Sequence, residues 1–93
     1  MPKYLIERRI PGAGALSPDE LHKIAGTSNA TLDSMRGEGK QVQWLQSYVT
    51  EDTIHCVYLA SDADTVREHA RRGGFPADAV HQVGTMIDPT TGE

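Results

Sequence analysis

Apolar and polar positions alternate through two neighbouring stretches, Val42–Thr50 and Thr53–Ala60, which predicts a long β-hairpin turning at Glu51-Asp52. Both stretches are rich in β-branched and aromatic residues, as strands prefer. A two-residue loop there sets Thr50 opposite Thr53, Tyr48 opposite His55 and Trp44 opposite Leu59. One face then carries Leu45, Ser47, Val49, Ile54, Cys56, Tyr58 and Ala60. The other carries Val42, Trp44, Gln46, Tyr48, His55, Val57 and Leu59. The first, more uniformly aliphatic, is assigned to the helices. The second is too apolar to face water, so a second copy of the chain is its expected cover. A slip of one residue in register would exchange the two faces.

Ahead of the hairpin, Lys3–Arg9 reads as a strand that ends at Pro11-Gly12-Ala13-Gly14. That glycine-bearing loop lacks the spacing of a phosphate loop and is expected to be a flexible turn. Ser17-Pro18-Asp19-Glu20 opens a helix: Ser17 caps it, Pro18 takes the first position and Glu20 completes a capping box. Leu21, Ile24, Ala25, Ser28, Leu32 and Met35 recur at helical spacing, and Gly37 and Gly39 end the run. After the hairpin, Ser61-Asp62-Ala63-Asp64 caps a second helix with a thin stripe of Ala63, Val66 and Ala70, stopped by Gly73-Gly74. Ala79–Asp88 reads as a last strand, and residues 89–93 as a loose tail beyond a single domain of residues 1–88. The order β-α-β-β-α-β predicts an α+β ferredoxin-like fold, an antiparallel sheet with two helices on one face and its open face free for dimerisation.

Ninety-three residues suffice for one modest core. The net charge of −4, with acids and bases interspersed, gives no basic surface for nucleic acid. No apolar run reaches membrane-spanning length, and Met1-Pro2-Lys3-Tyr4 does not begin a signal segment, so a cytoplasmic protein is expected. The lone cysteine fits a reducing compartment, and Cys56, mid-strand among apolar neighbours, reads as a small buried hydrophobe.

Four histidines are the candidate metal ligands: His22 and His69 on helices, His55 and His81 on strands. None belongs to HxH, HxxH or HExxH, so no local ligand pair is preassembled. His22, three residues after Asp19, reads as a solvated surface pair or a ligand. His69 lies in Arg67-Glu68-His69-Ala70-Arg71-Arg72, where guanidinium groups favour an anionic partner over a cation. Its plainer reading is a helix-end histidine that helps the dipole. His55, beside Tyr48 on the face that needs a cover, is either a ligand or a residue hydrogen-bonded within a dimer interface. His81 reads as exposed or as a further ligand. Glu7, a carboxylate inside a strand, faces the sheet or an edge. No acid–base or nucleophilic machinery stands out.

The strings Trp44-Leu45-Gln46-Ser47-Tyr48-Val49, Ile54-His55-Cys56-Val57-Tyr58 and Arg67-Glu68-His69-Ala70-Arg71-Arg72-Gly73-Gly74-Phe75-Pro76 resemble those of the small bacterial nickel-binding ferredoxin-like proteins. The opening Ile6-Glu7-Arg8-Arg9-Ile10-Pro11-Gly12 fits as well, so the resemblance spans nearly the whole chain. It implies a ferredoxin-like homodimer that binds nickel near the dimer surface without catalysis. Imidazole and carboxylate ligands suit that metal, which keeps His55, His81 and His22 as its candidates. A second reading is a small-ligand enzyme of the dimeric ferredoxin-like monooxygenase or isomerase type, with Trp44, Tyr48, His55 and Arg67 lining a pocket between sheet and helices. A third is a module for a small anion, built on Arg67, Arg71, Arg72 and Gly73-Gly74.

Overall fold

Strand β1 (Lys3–Arg9), helix α1 (Pro18–Gly37), strands β2 (Val42–Val49) and β3 (Thr53–Ala60), helix α2 (Ala63–Gly73) and strand β4 (Ala79–Gln82) follow one another in a computed structural model that describes residues 1–93. The sheet order is β2-β3-β1-β4 with every neighbouring pair antiparallel, which is the ferredoxin-like arrangement. Both helix starts are as their caps predict. Ser17 Oγ accepts from the Glu20 amide and Glu20 Oε1 from the Ser17 amide, each at 3.1 Å, and Asp62 Oδ1 accepts from the Thr65 amide at 2.7 Å. The core lies between the helices and one face of the sheet. Tyr4 and Ile6 of β1, Ile54, Cys56, Tyr58 and Ala60 of β3, Leu32 and Met35 of α1 and Val66 of α2 are buried in it.

The hairpin turns at Glu51-Asp52, and the pairs Tyr48–His55 and Val49–Ile54 are as expected. Further along β2 the register shifts. Trp44 lies opposite Tyr58, not Leu59, while Gln46 lies opposite Val57, so Leu45 is the extra residue of a β-bulge. The shift carries Val42 and Trp44 to the helix side of the sheet, where Val42 is buried and Trp44 packs half-buried against the core. The expectation that Trp44 shares the open face with Tyr48 and His55 is therefore overturned.

Three further expectations are corrected. The Pro11–Gly14 loop is held in place, with the Gly12 amide donating to Asp52 Oδ1 and the Gly14 amide to the Glu51 carbonyl, both at 2.9 Å. A Cβ on Gly14 would lie 3.0 Å from the Glu51 Cα and 3.2 Å from the Thr50 carbonyl oxygen, so the missing side chain at residue 14 eases the close docking of the loop on the hairpin tip. Strand β4 ends at Gln82 because its partner runs out. The Val83 amide still reaches the Lys3 carbonyl at 2.8 Å, and Lys3 is where β1 begins. Residues 89–92 form an exposed 3-10 turn in which Asp88 Oδ1 accepts from the Thr90 amide, in place of a loose tail. On the opposite edge of the sheet, Arg36 Nη1 donates to the Val42 carbonyl at 3.1 Å and occupies an acceptor of the β2 edge.

Candidate functional site

The face of the sheet away from the helices gathers several of the expected residues. The register sets Glu7 of β1 directly opposite His55 of β3, and His55 opposite Tyr48 of β2. One row along, Leu5 lies between Val57 and His81. Side chains directly opposite on adjacent strands have Cβ atoms about 5 Å apart, and diagonal neighbours are roughly 7–8 Å apart. Glu7 and His55 are thus immediate neighbours, and His81 is diagonal to Glu7. Leu5, Glu7, His55, Val57 and Leu59 are half-buried, whereas His81 is exposed and Tyr48 is 58 % exposed. A carboxylate beside a neutral imidazole suits a borderline divalent cation, either as two ligands or as a ligand and the acceptor that orients it. No three His, Cys, Asp or Glu side chains of the chain stand close enough together to hold a metal.

His22 is exposed on α1, on the other side of the sheet from His55. Trp44 and the Tyr48–His55 pair likewise occupy opposite sides and do not line one pocket. Arg67 and Arg71 are exposed on α2, where Arg67 makes a long 3.9 Å contact with Asp64. Arg72 is the networked arginine. It lies 2.6 Å from Glu38 and 2.9 Å from Glu68, tying α2 to the end of α1 and holding both carboxyls below their usual range.

His69 is where the sequence misleads most. It is fully enclosed between α2 and the sheet rather than exposed at a helix end. Its Nε2 lies 3.2 Å from Ser28 Oγ, and its ring lies 5.3 Å from that of Tyr58 and 5.8 Å from that of Phe75. Nδ1 has no partner. Arg8, only 3 % exposed, reaches the same cluster from β1. It donates to the Pro76 carbonyl at 2.6 Å and to the Tyr58 hydroxyl at 3.4 Å, with its guanidinium over the Tyr58 and Phe75 rings. Burial, with the nearby Arg8 charge adding to it, pushes the His69 imidazole down to about 4, and burial raises the Tyr58 hydroxyl. The guanidinium that governs His69 thus comes from β1, not from Arg67 or Arg71. Gly73 makes room for the cover: a Cβ there would lie 2.5 Å from the Phe75 ring.

The Gly-Gly-Phe-Pro string is thus the lid of a buried polar cluster, built from the stretch that carries much of the sequence resemblance. A family model described as "Nickel responsive protein SCO4226-like" matches residues 4–83, which span Glu7, Arg8, His55, His69 and His81. The chain belongs to the SCO4226-like family. The crystal structure of SCO4226 from Streptomyces coelicolor A3(2) covers 91 % of this chain and 99 % of its own, with a TM-score of 0.73. At 22 % identity that likeness shows the shared fold. No curated protein matches the chain. No helix is long and apolar enough to cross a membrane.

Arg8, Ser28 and Phe75 escaped the reading of the sequence as site residues. Arg8 had a signal, because it alternates with Tyr4 and Ile6 on one face of β1. His69 had one too, standing three residues after Val66 and next to Ala70 on the stripe of α2.

Proposed function

We propose that the protein is a non-catalytic homodimer that binds nickel at the open face of its sheet. Glu7 and His55 are the nucleus of the site and His81 is an outer ligand. The observation that carries this reading is the register of β1 against β3, which makes a carboxylate and an imidazole cross-strand neighbours on a half-buried face. The family's description as nickel responsive supports nickel as the metal. Because one chain offers no triad of ligands, the coordination is completed by a second copy lying on the same face. Leu5, Val57 and Leu59 around the pair provide apolar area for that contact. His22, across the sheet, is outside the site.

Calorimetric titration of the metal-stripped protein with nickel, beside sedimentation at each metal ratio, tests both parts. Saturable binding is expected, weakened by Glu7→Gln and by His55→Ala and unchanged by His22→Ala. If Glu7→Gln and His55→Ala bind nickel as the parent chain does, the site assignment fails. A monomer at every nickel ratio removes the second copy.

A further inference from the structure

The open face of the sheet divides its charge unevenly between its two central strands. Alternation with the buried Tyr4, Ile6 and Arg8 leaves Lys3, Leu5, Glu7 and Arg9 of β1 on that face. Alternation with Ile54, Cys56, Tyr58 and Ala60 leaves Thr53, His55, Val57 and Leu59 of β3 there. Every formal charge at these positions thus belongs to β1, and none of Lys3, Glu7 and Arg9 takes part in an ion pair within the chain.

Two such faces stacked about a twofold axis in the plane between them can meet in two ways. With the axis across the strands, β1 lies antiparallel on β1 of the second copy. Centred on Ile6, that sets Lys3 against Arg9 at both ends and Glu7 against Leu5 between them. Like charges would oppose each other, and a carboxylate would be buried on an apolar side chain. With the axis along the strands, the order β2-β3-β1-β4 is reversed over itself, and β1 lies on β3 of the second copy. The register then sets Glu7 on His55, Leu5 on Val57, Lys3 on Leu59 and Arg9 on Thr53. No like charges meet, and the Lys3 stem covers Leu59. The outer strands agree. Tyr48 and Ala79 end the row Tyr48–His55–Glu7–Ala79, so the same half-turn lays the 58 % exposed Tyr48 ring over a small side chain at both margins.

We propose that the second copy docks with its twofold axis along the strands, β1 of each copy on β3 of the other and Tyr48 of each over Ala79 of the other. This rests on the homodimer reading above and adds the orientation of the two copies. Glu7 of each copy then faces His55 of the other as well as its own, which gathers two carboxylates and two imidazoles at the axis.

Cross-linking tests the orientation. Stacked sheets lie about 10 Å apart, whereas β2 and β4 stand three strand spacings from each other, about 14 Å. A short bismaleimide therefore joins residues that face each other across the interface and not residues at opposite margins. Chains carrying Tyr48→Cys mixed with chains carrying Ala79→Cys are expected to link, and either variant alone is expected not to, with and without nickel. The native Cys56 is buried and stays out of the reaction. Lys3→Glu gives a second measurement. Its dimer constant is expected to stay within about threefold of the parent, because residue 3 meets Leu59 rather than a charge. Tyr48→Cys linking to itself, a dimer with no link in the mixture, or a tenfold tighter dimer in Lys3→Glu would overturn this orientation while leaving a dimer in place. A monomeric parent chain in sedimentation equilibrium at every nickel ratio would remove the homodimer reading and the orientation with it.

Discussion

His69 Nε2 lies 3.2 Å from Ser28 Oγ, so a buried hydrogen bond joins α2 to α1 above the sheet. The other ring nitrogen has no partner, and a buried guanidinium, that of Arg8, stands close enough to oppose a second positive charge. The imidazole is therefore built in as a neutral group.

Stability should fall on acidification for that reason. The folded imidazole titrates at about 4 against 6.5 when unperturbed. Between those values the unfolded chain takes up a proton that the folded chain refuses. The stability His69 contributes is thus full above pH 6.5, is lost as pH falls toward 4, and changes no further below. A shift of this size corresponds to roughly 3 kcal/mol. Urea unfolding at a series of pH values measures it, and the fall within this window should flatten in His69→Phe.

Arg8→Met should move that titration. Removing the guanidinium deletes the second cause of the depression and leaves burial, the larger one, in place. The His69 pKa should rise part of the way toward its ordinary value, read from imidazole proton shifts by NMR. An unmoved titration would show that Arg8 does not act on His69.

Gly73→Ala should destabilise the fold by about 1–3 kcal/mol, the usual cost of forcing extra volume into a packed contact. The new methyl would meet the Phe75 ring, which must then leave Arg8 and His69. Thermal denaturation of Gly73→Ala and of Gly73→Ala/Phe75→Leu checks the cause. The smaller side chain should recover part of the loss.

Val57→Asp should separate the proposed dimer while leaving the monomer folded, because Val57 faces away from the helices between Leu5 and Gln46. Trp44→Phe, on the helix side, should leave the association unchanged. Sedimentation equilibrium distinguishes the two. A dimer that survives Val57→Asp would place the interface elsewhere.

Much of this architecture is legible in the sequence. Ser17 with Glu20, Asp62 with Thr65 and the Glu51-Asp52 turn are local devices, and local chemistry reads well from a single chain. The bulge at Leu45 does not. No glycine or turn residue marks it, and alternation is intact on either side of it, so only pairing with β3 shows that Trp44 has changed faces. The adjacency of Glu7 and His55 depends in the same way on a register across 48 positions of chain, whereas each residue taken alone offers an ambiguous polar strand position. His69 was obscured by its charged neighbours, which advertise solvent, although its helical spacing places it inward.

The edges of the sheet set how such a molecule can associate. At one margin Arg36 occupies the Val42 carbonyl and Leu45 interrupts the ladder; at the other β4 is only four residues long. Arg36 and the bulge shorten the row of free amides and carbonyls at the first margin, as the length of β4 does at the second, and lateral growth has no natural stopping point. Contact across the broad side, by contrast, is satisfied once two copies meet about a twofold axis. The blunted margins therefore work against lateral addition of strands and leave the face-to-face contact of the proposed dimer as the one that closes on itself.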